Sequence, residues 1–467
     1  MRIPVLLLAL AAAALTGLGI APAADAKRAP CVPGTKKPKC KVWDAKVRRV
    51  DDGDSLKPQI RVGKKWSDRT SVRMIGIQAP ELSSYSHKFG RKGNCMGVEA
   101  ADLLDRLLPR RFRLIALKGS SVAVGKRARL RRTLQYKKKG KWVDPAEELL
   151  SKGLGLWFGN GKEWPWNRRY SRLAQEAAAK GRGLWNPTAC RRPGPSQDSP
   201  LSLKVKWDAE GQDQPGGEWV RIKNGDPEND VSLRGWSLRD SHLRGRKLKS
   251  GYIFPSNAVV PAGSSIKVVV GGGNNTGSTF YWGLTETIFE NASDDKKQIG
   301  DGAYLFDPDL ELRAHVQYPC RVSCSEPLAD KVRLSARYGG STHEWITITN
   351  TSSEPINLDE YEIENVPWFY EFDASDVILP GKSTTLWVDE PHPVPVDTPG
   401  RRLEVNPVPG LSIAGLPDFA NSTQFRSWHY KKPMLSDGGD VVVLRNPLGA
   451  PVPGACHAWN GVRCPTI

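Results

Sequence analysis

VDDGDSL at residues 50–56 and VRMIGIQAPE at residues 72–81 are two apolar segments with polar residues at their ends. Aliphatic and β-branched residues dominate both, and Asp-Gly is a common turn sequence, so each segment predicts a β-strand beside a tight turn. Alternating apolar residues predict the strands of this region, which cover residues 43–56, 72–77, 112–117 and 130–136.

Three helical patterns lie in the same region. Apolar residues at three- and four-residue spacing predict a helix over residues 98–108, Pro145 begins a second that reaches residue 150, and a third covers residues 168–179. Strands with helices between and after them suit a small closed β-barrel of the oligonucleotide-binding type, the OB-fold. Periodicity alone also allows another α+β fold.

Charged residues at the ends of these strands predict a site for a phosphodiester. Arg73 and Glu81 lie eight positions apart across the second strand, so both can reach one end of the barrel. Arg73 and Arg132 each carry a planar guanidinium that can donate to two phosphate oxygens. Asp54 offers the carboxylate oxygens that a hard cation such as Ca²⁺ prefers.

These segments resemble the staphylococcal-type thermonuclease (SNase-like) family over residues 43–187. Further motifs in the family's order are Gly97-Val98-Glu99-Ala100, Glu148-Leu149-Leu150 with Gly153-Leu154-Gly155, and Gly181-Arg182-Gly183-Leu184-Trp185. The resemblance implies an OB-fold barrel with three helices that hydrolyses DNA, and possibly RNA, with low sequence specificity. It also implies a calcium ion beside the scissile phosphate and products that end in a 3′-phosphate.

The resemblance gives catalytic roles to three residues. Arg73 and Arg132 would hold the phosphate and its developing charge, and Glu81 would orient or deprotonate the attacking water. Register relative to Leu134 and Tyr136 favours Arg132 for the second arginine. The competing candidates close to it are Arg127, Arg129 and Arg131.

The metal ligands implied by the family are Asp54, Gln78 and, from farther away, Asp52. Gln78 stands where the family usually has an aspartate. An amide oxygen can ligate Ca²⁺ but carries no charge, so we expect weaker calcium binding than at a site with two aspartates.

Aromatic and basic residues are interleaved at positions 164–170, where Trp164, Trp166 and Tyr170 are candidates for stacking on bases. Packing of the same rings between a helix and the barrel wall is an equally good interpretation.

The N-terminus reads as an export signal over residues 1–26, in which an apolar run ends in small residues. No later apolar run approaches the roughly 20 residues that a membrane helix needs. We therefore expect a secreted, extracellular protein without a membrane span.

All eight cysteines follow the signal segment, which favours disulfides formed in an oxidising compartment. Zinc ligation is the weaker alternative, since no pair has two-residue spacing and the histidines are scattered singly. Neighbour pairing predicts the bridges Cys31–Cys40, Cys95–Cys190, Cys320–Cys324 and Cys456–Cys464.

Charge divides the chain into two halves. Residues 27–192 contain 41 Lys and Arg against 14 Asp and Glu, a balance of +27, whereas residues 193–467 have a balance of −9. A basic front half is typical of proteins that bind nucleic acid, so DNA and/or RNA are the expected partners.

The rear half predicts two β-sandwiches. Strict alternation in residues 218–224, regular turns and an apolar strand at 266–270 indicate the first, and the same order returns about 126 residues later. The first copy resembles lamin-tail domains, which are immunoglobulin-like, and the second is a divergent copy. Interaction modules or spacers with an unidentified ligand are the expected role.

The sequence thus predicts a multidomain, mainly β protein. Its segments are a signal peptide (1–26), a basic N-terminal extension (27–42), a thermonuclease-like OB-fold domain (43–190), a linker (191–200), a lamin-tail-like β-sandwich (201–324) and a second, divergent one (325–467). The alternative function is an extracellular nucleic-acid-binding or adhesive protein with weak or absent catalysis, which Gln78 favours.

Overall fold

The structure is a computed structural model, and parts of the chain lie outside its description. The described residues are 27–46, 49–82, 94–119, 129–186, 199–207, 214–242, 251–292, 297, 299–322, 324, 326–338, 344–365, 368–372, 375–389, 422–430, 435–447 and 450–464. The predicted signal segment, most of the predicted linker and Cys190 fall outside these residues.

Residues 27–186, here called the N-terminal unit, contain thirteen strands and three α-helices in their described part. The strands are β1 (Lys27–Pro30), β2 (Lys39–Lys46), β3 (Val50–Asp52), β4 (Ser55–Leu56), β5 (Gln59–Val62), β6 (Lys65–Trp66), β7 (Val72–Arg73), β8 (Ile77–Gln78), β9 (Arg111–Ala116), β10 (Leu130–Arg131), β11 (Thr133–Lys138), β12 (Lys141–Val143) and β13 (Leu156–Trp157). The helices are α1 (Gly97–Leu107), α2 (Pro145–Ser151) and α3 (Asn167–Ala179).

Three sheets surround one apolar core in this unit. The largest has the order β12-β11-β9-β2-β5-β6, a second has the order β10-β7-β4-β3, and β13 pairs with β8. The β10–β7 pair is parallel and sets Arg131 opposite Arg73. The core joins strand residues such as Leu114 and Leu134 to Leu104 of α1 and Leu149 of α2. Mainly β structure with three helices is confirmed; a closed OB-fold barrel stays a prediction.

The predicted N-terminal extension is part of this sheet. β1 pairs antiparallel with β2, the Cys31–Cys40 disulfide joins their connecting turn, and both cysteines are buried in the core. Gln135 of β11 donates from Nε2 to the carbonyl of Cys31 at 2.7 Å. The folded unit therefore begins well before the predicted start at residue 43.

Two glycine motifs of the sequence pack against each other. Gly153 has a φ of +70°, and a Cβ there would lie 2.0 Å from the carbonyl oxygen of Arg182. Leu184 donates its backbone N–H to the Gly153 carbonyl at 2.9 Å. This close approach brings the turn after α2 onto the end of α3, and it requires residues without a side chain.

The rear half folds as two units, the first sandwich (residues 199–322) and the second sandwich (residues 326–464). The first contains β14 (Leu201–Lys206), β15 (Trp219–Asn224), β16 (Val231–Ser232), β17 (Ser237–Asp240), β18 (Tyr252–Ile253), β19 (Val259–Val260), β20 (Ser265–Val269), β21 (Thr279–Tyr281), β22 (Asp301–Phe306) and β23 (Leu312–Tyr318). The second contains β24 (Val332–Arg337), β25 (Trp345–Asn350), β26 (Ile356–Asn357), β27 (Glu362–Asn365), β28 (Trp368–Glu371), β29 (Val377–Ile378), β30 (Ser383–Asp389), β31 (Ser422–Tyr430), β32 (Val441–Arg445) and β33 (Pro451–Ala458).

Both sandwiches have the same topology, which confirms the internal repeat. The orders β14-β15-β20-β21, β16-β19 and β18-β17-β22-β23 return as β24-β25-β30-β31, β26-β29 and β28-β27-β32-β33. Buried polar residues repeat as well. Asn224 donates to the Val260 carbonyl, and Asn350, at the same position of the second copy, donates to the Ile378 carbonyl.

The first sandwich packs against α3 and the segment after it. Trp185 and Leu184 share an apolar cluster with Tyr304, Phe306 and Leu312 of β22 and β23. Polar contacts flank this cluster: Asn167 donates to the Lys297 carbonyl, and Gln175 both donates to the Pro319 carbonyl and accepts from the backbone N–H of Arg321.

Disulfides join three of the four predicted pairs, Cys31–Cys40, Cys320–Cys324 and Cys456–Cys464. Cys95 is also disulfide-bonded, and its predicted partner Cys190 lies outside the described residues. These bridges are compatible with an extracellular protein. Among the helices that the structure describes, none has the length and apolarity needed to cross a membrane.

We predict that Gly153→Ala destabilises the N-terminal unit more than Gly140→Ala does. Both glycines have positive φ, but a Cβ at Gly140 meets no atom within 4 Å. Gly140→Ala should therefore cost only left-handed strain, about 1 kcal/mol, whereas Gly153→Ala adds a clash with backbone of about 1–3 kcal/mol. Urea unfolding measures the difference, and equal losses would contradict the packing of the two motifs.

Candidate functional site

The Asp-Gly-Asp-Ser turn joins β3 to β4 and lies against α1. A Cβ at Gly53 would lie 2.6 Å from the Cβ of Ala100 and 2.7 Å from that of Ala79, so only glycine fits between them. Asp54 donates its backbone N–H to the Asp52 carboxylate at 3.1 Å, which holds the turn closed. The turn thereby fixes Asp54 in the interior, where its side chain is fully buried.

Asp54 and Arg73 form an ion pair at the centre of the site. Nη1 of Arg73 lies 2.5 Å from Oδ1 of Asp54 and 3.3 Å from Oγ of Ser55, on the neighbouring strand. The other end of the guanidinium, Nη2, donates to Oε1 of Gln78. The Arg73 side chain is 18% exposed, so its guanidinium lies at the boundary between the core and solvent.

Burial raises the pKa of the Asp54 carboxyl well above its usual range, Arg73 opposes this shift, and Asp52 adds to it. Arg73 is therefore the main group that favours the carboxylate form of Asp54. The backbone N–H of Ala79 donates to Oδ2 at 2.6 Å and lowers the pKa by a smaller amount.

Arg73 occupies oxygens that the family resemblance gives to a calcium ion. Oδ1 of Asp54 already accepts from Ser55 and contacts Arg73, and Oδ2 accepts from Ala79. Oε1 of Gln78 accepts from the same guanidinium. An ion that used Oδ1 of Asp54 or Oε1 of Gln78 would have to compete with the Arg73 guanidinium for that oxygen.

Glu81 lies at the rim of the site, next to the start of α1. Its side chain is exposed, its backbone N–H donates to Oδ1 of Asn94 at 3.1 Å, and Asn94 returns a backbone bond to its carbonyl at 2.9 Å. A Cβ at Gly97 would lie 2.5 Å from the Glu81 carbonyl oxygen. Residues 83–93, which connect Glu81 to Asn94, lie outside the described residues.

Arg129 approaches the same hydroxyl as Arg73. Its Nη1 lies 3.4 Å from Oγ of Ser55, just before β10 runs parallel to β7. Ser55 thus has two guanidinium groups near it, one from β7 and one from the residue before β10. Spacing along the chain leaves Arg129 among several candidates, because it does not show the parallel pairing of β10 with β7.

Arg132 faces different residues. Its guanidinium lies 4.2 Å from the centroid of the Trp43 ring, and Nη1 donates to the Arg131 carbonyl at 2.7 Å. Burial lowers the pKa of Arg132 to about 10, and Glu163 opposes that shift. The register with Leu134 explains this position, because alternate residues of the strand share one face and Leu134 is in the core.

The three aromatic candidates for base stacking differ in how deeply they are buried. Trp166 is 1% exposed and Tyr170 is fully buried, so their rings pack inside the unit, as the alternative interpretation expected. Trp164 is half-buried. The Tyr170 hydroxyl donates to Oδ2 of Asp144 at 2.5 Å, and Asp144 caps α2 by accepting from the Ala146 N–H.

A groove borders the site and is shared between units. Gln78, Pro80 and Asn94 line one wall, and Phe306, Leu310 and Leu312 of the first sandwich line the opposite wall. The candidate site therefore has a neighbour that the sequence assigned to a separate domain.

The variant Asp144→Asn tests whether the buried carboxyl group of Asp144, which contacts Tyr170, is protonated in the folded protein. Burial, and the nearby charge of Glu147, raise the pKa of Asp144 to about 8. The folded state therefore keeps a proton that the unfolded state releases above about pH 4, so this group destabilises the fold as the pH rises from 4 to 8. The stability of the variant relative to wild type should increase over that range.

Urea unfolding at a series of pH values measures this difference, and the exposed Asp68 supplies the control variant Asp68→Asn. Parallel curves for Asp144→Asn and wild type would show that Asp144 is ionised in the folded protein.

Comparison with known families identifies one segment of the chain. Residues 203–320, which correspond to the first sandwich, match the Lamin Tail Domain model. No curated protein matches the chain at a significant level. The thermonuclease resemblance of the N-terminal unit stays a prediction, and the first sandwich is a lamin-tail domain with an immunoglobulin-like fold.

Proposed function

We propose that the chain is a secreted nuclease in which the N-terminal unit, as a thermonuclease-like OB-fold domain, hydrolyses phosphodiester bonds of DNA and possibly RNA. The observation that carries the proposal is the Arg73 guanidinium, which Asp54, Ser55 and Gln78 hold at the edge of the core. Among the described residues, protein atoms accept from three of its five N–H groups, so two remain for phosphate oxygens.

Charge supports a polyanionic substrate. The balance of +27 over residues 27–192 attracts a phosphate backbone without selecting a sequence. Arg129 adds a second guanidinium at the Ser55 hydroxyl. Fixed cations of this kind stabilise the charge that builds on phosphate oxygens in the transition state.

In the proposed reaction, a water oxygen forms a bond to phosphorus while Glu81 accepts the water proton. The bond from phosphorus to the 5′ oxygen breaks, and that oxygen takes a proton from solvent. Arg73 and Arg129 bind the non-bridging oxygens throughout. Glu81 suits the role of base because it is exposed at the rim beside the groove.

Calcium enters the proposal only through the family resemblance, and no step here depends on it. If the ion assists, it has to compete with Arg73 for Asp54 and Gln78. The lamin-tail domain and the second sandwich would act as spacers or interaction modules, with an unidentified partner.

Arg73→Lys should lower kcat for cleavage of a fluorogenic oligonucleotide by about 10²-fold. Lysine keeps a cation beside buried Asp54 but cannot offer two parallel donors to a phosphate. Arg61→Ala is the matched control, since Arg61 lies on β5 and donates to the exposed Gly63 carbonyl. Unchanged cleavage by Arg73→Lys would exclude Arg73 from the phosphate site.

Variants of Arg129 and Arg132 test which of these two residues is the second arginine that binds the phosphate. Arg129→Ala should lower kcat/KM with little change in unfolding free energy, whereas Arg132→Ala should mainly destabilise the fold around Trp43. The opposite pattern, with cleavage lost only in folded Arg132→Ala, would restore the assignment from sequence register.

Gln78→Asp tests the calcium expectation. A second carboxylate beside Asp54 should lower the calcium concentration for half-maximal cleavage by about tenfold, because each added negative ligand strengthens binding of the ion. Cleavage is measured in a calcium titration, with a chelator arm for both proteins. If the variant needs as much calcium as wild type, residue 78 does not contact the ion.

Nucleic-acid binding without cleavage is the second candidate function. It is favoured by the contacts of Asp54, whose two oxygens both face protein donors, and by the neutral Gln78. Fluorescence anisotropy with a labelled oligonucleotide separates the two functions: tight, salt-dependent binding with no products would select the binder.

A further inference from the structure

A buried cluster in the first sandwich has the composition of a metal site. Asp240 ends β17, His242 follows two residues later, and Asp301 begins β22, which pairs with β17. One ligand atom from each side chain lies within 4.8 Å of the others. Nδ1 of His242 is 3.4 Å from Oδ2 of Asp240 and 3.9 Å from Oδ2 of Asp301.

The atoms that face one another in this cluster have no hydrogen-bond partner among the described residues. They are Oδ2 of Asp240, Nδ1 of His242 and Oδ2 of Asp301. Asp240 is 4% exposed and Asp301 is fully buried. A buried polar atom without a partner is costly, and two carboxylate oxygens and one imidazole nitrogen within 4.8 Å of one another are ligands that a cation would satisfy.

The other oxygen of Asp301 is fully engaged. Oδ1 accepts from the Ser241 hydroxyl, from the Ser241 N–H at 3.3 Å and from the Gly302 N–H at 2.8 Å. These donors fix the orientation of the carboxylate and leave Oδ2 directed at the cluster. This division is the usual one for a metal-binding carboxylate, whose second oxygen is held by surrounding donors.

The second sandwich provides an internal comparison. Strand register pairs Leu238 with Leu305 in the first copy and Ile363 with Leu444 in the second, so Asn365 and Asp440 occupy the positions of Asp240 and Asp301. Asn365 donates to the Val441 carbonyl, and the Asp440 oxygens accept from the N–H groups of Val441 and Ser436. In the part of the second copy that the structure describes, hydrogen bonds satisfy both of these positions.

We propose that Asp240, His242 and Asp301 bind one Zn²⁺ ion. Zinc accepts imidazole nitrogen and carboxylate oxygen together, at bond lengths of about 2.0–2.2 Å, which separate tetrahedral ligands by about 3.3–3.6 Å. The separations of 3.4 and 3.9 Å, and of at most 4.8 Å between the two carboxylates, require the ligands to contract around the ion. A water molecule or another group completes the coordination.

The ion would stabilise the contact between the lamin-tail domain and the N-terminal unit. The Phe158 ring packs on the His242 ring with centroids 4.3 Å apart, and Gly159 donates its backbone N–H to Gly300, next to Asp301. Phe158 follows β13, which pairs with β8 and hence with Gln78. The proposed zinc site is therefore structural, and it does not depend on the nuclease proposal.

The test uses the full chain, stripped with a chelator and then titrated with Zn²⁺ against a chromophoric chelator. We expect one tightly bound Zn²⁺ per chain, confirmed by elemental analysis, and a rise in Tm on loading. His242→Gln and Asp301→Asn should each weaken the binding by at least about tenfold. His457→Gln, which lies in the second sandwich, is the matched control and should bind as wild type does.

Stripped wild type that takes up no stoichiometric Zn²⁺ would overturn the proposal, because the cluster is then neutralised by protons alone. Equal affinity and stoichiometry in wild type, His242→Gln and Asp301→Asn would also overturn it, since the ion then lies elsewhere. Near-UV circular dichroism checks that each variant is folded. If either variant is unfolded, Asp240→Asn, at the end of the strand, is used in its place. The titration of the wild-type protein does not depend on any variant.

Discussion

The buried ion pair between Asp54 and Arg73 is the constraint on which the N-terminal unit depends. Asp54 is fully buried, so its charge is tolerated only with a cation in contact. The pair in turn requires the turn at Gly53 to pack on Ala79 and Ala100, and it orients Gln78 through the other end of the guanidinium. One interaction therefore fixes β4, β7, β8 and α1 relative to one another, and the same interaction holds the proposed phosphate ligand in place.

Local patterns predicted much of this arrangement. The turn at residues 52–55 and the three helices follow from spacing and composition, whereas the grouping of Arg73, Asp54 and Gln78 in one site was implied by the family resemblance. Arg129 and Arg132 show where that reasoning ends. Their roles depend on which face of the strand each occupies and on the parallel pairing of β10 with β7, and neither is encoded in the spacing of a run that contains several arginines.

Long-range pairing explains the other differences. The segment at residues 27–42 looks like a charged extension because its apolar residues are few, yet pairing with β2 and the Cys31–Cys40 bridge place it in the sheet. The Asp240, His242 and Asp301 cluster was invisible for the same reason. A single histidine carries no metal signal until the register of β17 and β22 brings a distant aspartate beside it.

Because the N-terminal unit and the first sandwich share an interface, the domain boundary predicted between them does not separate two independent units. Trp185 and Leu184 bury apolar surface against Tyr304, and Leu310 and Leu312 line the groove that Gln78 and Pro80 border. A lamin-tail domain that acted only as a distant spacer would leave these residues exposed to water, at a cost of about 25 cal/mol for each Å². The contact therefore favours a first sandwich that supports one wall of the groove. On this view the proposed zinc ligands, at the end of β17 and the start of β22, support the same contact. The ion would stiffen the edge of the sandwich that touches Phe158.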